Sequence, residues 1–256
     1  MPRYFIRLAY KGTNYSGWQI QENAISVQEK LNQSLSVILN QDISTIGCGR
    51  TDTGVHAKQF YAHFDSREEL QDEKKFLYQM NSILPTDICV YELLEVDSNA
   101  HARFDATSRS YEYYISYRKN PFVKEYSMHG FMNPDMTRMN EACIELKKHN
   151  DFSAFSKTHT QVKTNICEIT YAQWVLKNDM LVFNITADRF LRGMVRAIVG
   201  TMIEVGTGKL EPSDFNEIIN SKNRKEAGVS VPACGLFLSR ITYPFITDIN
   251  SSSFPA

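Results

Sequence analysis

The run Gly47-Cys48-Gly49-Arg50-Thr51-Asp52-Thr53-Gly54-Val55-His56-Ala57 places one carboxylate, Asp52, two residues from one guanidinium, Arg50, and brackets the pair with glycines. A nearby cation favours the ionised carboxylate, the form that acts as nucleophile or general base. Apolar residues flank the run, Ile43 and Ile46 before it and Phe60, Tyr61 and Phe64 after it. The pattern predicts a strand, a tight loop and a second strand, with the acid at the tip. The alternative is a turn aspartate that bonds its own backbone beside glycine.

Asp52-Thr53-Gly54 is also the triplet of aspartic proteases, which need two such carboxylates sharing a proton. The chain carries the triplet once, so a homodimer would have to supply the second, and the charged Arg50 opposes proton sharing. A metal site is not indicated. The five cysteines form no Cys-x-x-Cys pair, and the six histidines show no ligand spacing. His56 and His63, seven apart on one extended stretch, are expected on opposite faces in structural or RNA-facing roles.

Other residues could serve a polyanion. Arg189, Arg192 and Arg196 recur at spacings of three and four within a predicted helix from Arg189 to Val205, one basic row. The row is either a solvated helix edge or, where buried, in need of an acid, for which Asp52 is the natural partner. Tyr111, Tyr113, Ile115 and Tyr117 share one face of a β-prone segment, as sheet packing or as a substrate platform. Arg103 lies between two predicted strands, as a solvated surface residue or a phosphate ligand. The polar loop Ser156 to Thr164 holds three potential cations, Lys157, His159 and Lys163. Lys11 to Gln19, with two glycines and two aromatics, reads equally as an apolar plug or as a base-stacking surface.

These residues need a scaffold. At 256 residues, 43% hydrophobic and 22% charged, the chain has an ordinary globular profile, with room for one or two domains. The sequence has no signal-peptide core and no apolar run of about 18 residues, and its cysteines are scattered, so a cytoplasmic protein without a membrane span is expected. A net charge of −1 excludes a broadly basic nucleic-acid surface, so any RNA site must gather its cations locally, in a cleft. Strands are predicted over Arg3–Tyr10, Lys58–Asp65, Ile88–Val96 and Ser108–Tyr117. A capping box at Ser26-Val27-Gln28-Glu29 opens a helix, and further helices are expected from Glu69 to Ile83 and from Arg138 to Lys148. Ile166–Leu176 and Leu181–Ala187 form a hairpin about Lys177-Asn178-Asp179. The first half thus reads β-α-β-β-α-β, and the second repeats the style without a visible sequence repeat.

Gly49-Arg50-Thr51-Asp52-Thr53-Gly54-Val55-His56-Ala57 closely resembles the active-site motif of the TruA-type tRNA pseudouridine synthases, which usually has Ala at the position of Thr53. Ala100–Ala106, the Arg109-Ser110-Tyr111-Glu112-Tyr113 pattern, Met194-Val195-Arg196-Ala197-Ile198-Val199-Gly200 and Pro232-Ala233-Cys234-Gly235-Leu236 are similar to further stretches of that family. The resemblance runs from Tyr10 to Leu238. It implies an α/β (α+β) fold of two RRM-like halves, residues 1–105 and 106–256, with sheets joined side by side and a cleft between them. It implies isomerisation of uridine to pseudouridine in the anticodon stem–loop of tRNA, at positions 38–40, by a cytoplasmic homodimer that needs no cofactor or metal. Asp52 would be the catalytic carboxylate, Arg196 its partner, Tyr111 the contact to the base and Arg50 the base-flipping residue; Arg103 would contact RNA, with His159 and Lys163 as further RNA ligands. Two rivals stand beside this reading. A non-catalytic RNA-binding protein would not need Asp52, and a nucleoside glycosylase would want a second carboxylate to activate water.

Overall fold

The alternation Tyr4, Ile6, Leu8, Tyr10 makes β1 (Arg3–Tyr10) a strand with one wholly apolar face. In the computed structural model, which describes residues 1–130, 133–157 and 164–246, it is followed by α1 (Val27–Leu39), β2 (Ile46–Gly47), β3 (His56–Asp65), α2 (Glu73–Ile83) and β4 (Ile88–Val96). Then come β5 (Ser108–Ser116), β6 (Met128–His129), α3 (Met136–Leu146), β7 (Ile169–Lys177), β8 (Met180–Ala187), α4 (Met194–Gly206), α5 (Pro212–Ser221) and β9 (Leu236–Thr242). One mixed sheet runs β4-β1-β3-β9-β5-β8-β7, with β2 on the far end of β3 and β6 on β5. The first group, β4-β1-β3 with β2, and the second, β9-β5-β8-β7, have the same internal order, each strand set interleaved with helices.

The two groups meet through β9. It pairs parallel with β3 at His56↔Phe237 and Ala57↔Leu238, and antiparallel with β5 from Ser108↔Thr242 to Tyr113↔Leu236. Its apolar residues divide between two cores. Leu238 and Ile241 pack with β1, β3, α1 and α2, while Leu236 packs with β5, β8, α3 and α4. Across the same seam, Lys58 Nζ donates to Glu112 Oε2 at 2.6 Å and to the Tyr114 hydroxyl at 2.7 Å.

Several boundaries differ from those the sequence predicts, each for a local reason. The second helix begins at Glu73, because Asp72 accepts from the Lys75 N–H and caps it there. The third begins at Met136 behind an Asp135 cap, and the hairpin turns tightly at Asn178 and Asp179, both at positive φ. The expected helix from Arg189 begins only at Met194, because Gly193 takes the left-handed conformation at φ 72°. Arg189 and Arg192 therefore lie in the segment before it, and the three arginines do not form one helical row. Finally, His56 and His63 share a face. Leu8 pairs Phe60 but Tyr10 pairs Ala57, and this bulge in β3 reverses the alternation. Both rings are buried against aromatics, His56 on Phe237 and His63 on Phe5.

The segment before β9 lies directly on α4. The Gly228 N–H donates to Thr201 Oγ1 at 2.9 Å, and the Val231 N–H donates to the Arg196 carbonyl at 3.2 Å. A methyl group at Gly200 would overlap the Val229 carbonyl oxygen. In a free helix Gly→Ala gains about 1 kcal/mol. Here Gly200→Ala is expected to destabilise by about 1–3 kcal/mol instead, through overpacking. A melting temperature lower by about 2–4 °C per kcal/mol, read by calorimetry, checks the sign.

Candidate active site

The Asp52 loop is held from below by the Lys11–Gln19 segment. The Trp18 N–H donates to the Thr51 carbonyl at 3.3 Å, the Gly54 N–H donates to the Tyr15 carbonyl at 3.3 Å, and the Tyr10 and Thr51 hydroxyls bond at 2.9 Å. Gly17, at φ 89°, lets the two backbones touch, since a side chain there would strike the Thr51 carbonyl. Trp18 is buried and stacks on Phe60 with centroids 4.1 Å apart, and Tyr15 is buried too. Between the two readings of this segment, the structure supports the plug: its rings are spent on the core. On the loop itself, the Val55 N–H donates back to the Asp52 carbonyl at 3.1 Å, closing a turn that leaves the Asp52 side chain partly exposed at 28%.

Two guanidinium groups face that carboxylate. Arg192 Nε lies 3.6 Å from Oδ1 and Arg196 Nη1 lies 3.9 Å from Oδ2. Both belong to the first turn of α4 or the residue before its cap, so the positive end of the helix adds to the field at Asp52. Arg196 is fixed by its Nε, which donates to the Val231 carbonyl at 2.7 Å. Val231 in turn is set by the Pro232 carbonyl, which accepts from the Tyr113 hydroxyl at 2.9 Å.

Tyr111 is half-buried, edge-on to Phe190 at 5.1 Å. Burial, then the neighbouring Cys48 and Asp52, push its phenol above the usual range, so at neutral pH it is uncharged. Arg50 is exposed, its Nε donating to Gln19 Oε1 at 3.2 Å, and it does not pair with Asp52. Arg103 is exposed with its guanidinium over the exposed Phe104 ring at 5.6 Å. His159 and Lys163 lie outside the described residues. Among the described residues no three His, Cys, Asp or Glu side chains converge as metal ligands, and no helix is long and apolar enough to cross a membrane.

Arg192 belongs to the basic row for which the sequence offers Asp52 as partner, but it comes from a turn, which only the Arg-Gly pair marks. One residue of this site has no role in a reading of the sequence. Arg109 acts as a staple. Its Nη1 donates to the Ala106 and Asp188 carbonyls at 2.7 and 2.8 Å, and its Nη2 donates to the Arg103 and Cys48 carbonyls at 2.6 and 3.3 Å. It thereby ties the Arg103 loop to the Asp52 loop.

The arrangement offers one ionisable acid, two cations and an aromatic wall, a set suited to chemistry at an electrophilic sugar carbon. Residues 142–244 match the family model described as tRNA pseudouridine synthase. The chain is 52% identical over 246 residues to the tRNA pseudouridine synthase A of Bacteroides fragilis, covering 95% of this chain and 97% of that protein. It is 49% identical over 247 residues to that of Porphyromonas gingivalis, covering 95% and 98%. With that of Clostridium acetobutylicum it shares 39% over 249 residues, covering 95% and 100%.

The Arg103 loop rests on a neutral histidine. His63 Nδ1 accepts from the Ala102 N–H at 3.0 Å, and burial, with Arg3 next, lowers its pKa from 6.5 to about 4. Between those two values the unfolded chain takes up a proton that folded His63 refuses. Its contribution is therefore complete above pH 6.5 and is lost as pH falls toward 4. Denaturant titrations across this window are expected to show a shallower fall in stability for His63→Gln than for the wild type.

Proposed function

The chain belongs to the tRNA pseudouridine synthase family, as an isomerase that turns uridine in tRNA into pseudouridine, and from this premise we propose how its residues do so and on which uridines. The C1′–N1 bond breaks, the uracil turns while bound, C1′ bonds to C5, the C5 proton leaves and N1 ends protonated. Asp52 is the catalytic carboxylate, either attacking C1′ or removing a sugar proton to give a glycal. The supporting observation is its partly buried position between Arg192 and Arg196. Arg196, fixed on Val231, holds Asp52 in place toward the sugar. Tyr111, held edge-on by Phe190, packs on the base. The nucleotide must leave its stack to reach Asp52, and Arg50, exposed on the same loop, fills the gap. Arg103 takes a phosphate farther along the RNA, with His159 and Lys163 as further RNA ligands.

The targets are the uridines at positions 38–40, on the 3′ side of the anticodon stem–loop. The protein works in the cytoplasm as a homodimer whose tRNA spans both subunits, and each subunit divides into halves at residues 105 and 106. The kinship with tRNA pseudouridine synthase A supports these statements.

Asp52→Asn is expected to lower product formation on unmodified tRNA by about 10⁴-fold or more while leaving tRNA binding nearly intact. Full turnover by that variant would reject the assignment. Arg196→Ala, which misplaces the carboxylate, is expected to lose about 10²-fold in kcat. Mapping new pseudouridines along the transcript tests the position, and sedimentation at twice the 29.4 kDa chain mass tests the dimer.

A further inference from the structure

The two guanidinium groups at Asp52 are held very differently. Arg196 is anchored on a backbone carbonyl and its side chain is 25% exposed. Arg192 is 62% exposed, and among the described residues its one ion pair is the 3.6 Å contact to Asp52, longer than a hydrogen bond. Its backbone, by contrast, is set: the Lys157 N–H donates to its carbonyl at 3.1 Å, and Gly193 fixes the turn behind it. Arg192 is thus an exposed, loosely paired side chain on a fixed backbone, facing the reacting carboxylate.

The charges do not balance. Two guanidinium groups face one carboxylate, and among the described residues no other acid lies within ion-pair reach of either. Both also stand near the positive end of α4, where cations are disfavoured without an anion. RNA brings anions of one kind, phosphodiesters, and guanidinium binds them with two parallel hydrogen bonds. A loose, exposed pair gives way readily to such a contact. The exchange also changes the surroundings of Asp52, which then faces one cation instead of two.

Resting on the reading of Asp52 as the reacting carboxylate, we propose that Arg192 exchanges partners when tRNA binds. In the free enzyme it pairs with Asp52. In the complex it holds the phosphodiester adjoining the target uridine, leaving Asp52 to Arg196 alone. Arg192 thereby couples placement of the nucleotide to release of the acid that acts on it.

Single-turnover kinetics with enzyme in excess separate binding, read as the enzyme concentration at half-maximal rate, from the maximal rate. The probe is tRNA assembled with one neutral methylphosphonate next to the target uridine, compared with the all-phosphate molecule. The neutral linkage is expected to weaken binding by the wild type about tenfold, and Arg192→Gln to weaken binding of ordinary tRNA by the same factor. The two changes together should cost no more than either alone. The salt dependence of binding should lose about one counterion in Arg192→Gln and be kept in Arg192→Lys. Multiplying losses, or an unchanged salt slope with the whole effect on the maximal rate, would overturn the exchange. Turnover by Asp52→Asn would sink the underlying reading instead, without moving the binding values measured here.

Discussion

A carboxylate supplied by the first group of strands must meet cations supplied by the second. Asp52 sits in the loop before β3, Arg192 just before α4 and Arg196 in its first turn, and neither group can fulfil its role if the two parts of the sheet slide by a few ångströms. The ion pairs cannot enforce that register themselves. Unit charges about 4 Å apart gain roughly 1 kcal/mol in water and about 4 kcal/mol near a protein surface, and exposed pairs usually net less than about 1 kcal/mol. The seam must therefore be held by something else, and the charged contact is what that rigidity serves.

What holds it is β9 and the segment before it. Because β9 hydrogen-bonds to β3 on one side and to β5 on the other, its register fixes both at once. Leu236 in one core, and Leu238 and Ile241 in the other, make a slip of one residue costly on both sides. The preceding residues then carry the register to the site, from Tyr113 through Pro232 and Val231 to the guanidinium of Arg196. Arg109 repeats the device beside the site, tying the Asp52 and Arg103 loops to β5 and to the end of β8.

What a sequence reading recovers follows from this division. The Asp52 loop, the strand of Tyr111 and the helix of Arg196 were legible because each is a contiguous string whose residue types and period state its conformation. The symmetric strand order was foreshadowed by the β-α-β-β-α-β pattern of the first half. The failures are of another kind. A bulge opposite Ala9 put His56 and His63 on one face, which no strict alternation foretells. Arginines at helical spacing mimicked a helix that Gly193 forbids. Strand β9 went unread because its alternation breaks where its pairing to β5 shifts between Ser110 and Tyr111. Helix α5 carried a readable start, Glu211-Pro212 with Asp214 completing a capping box, and was missed all the same.

Tyr111 narrows the chemistry that this frame can support. Its ring meets Phe190 at a right angle, and the nearby Asp52 charge opposes a second negative charge on the phenol. A phenolate is therefore scarce at neutral pH, so Tyr111 does not open the reaction as a base. After the new bond to C5 forms, that carbon is saturated and adjoins a carbonyl, and its proton becomes far more acidic than the C5 hydrogen of uridine. Only then is a neutral hydroxyl useful, as a donor and acceptor passing the proton toward a stronger acceptor. The reaction proposed above ends with that proton on N1 and activates no water, so the site has no need of a second carboxylate.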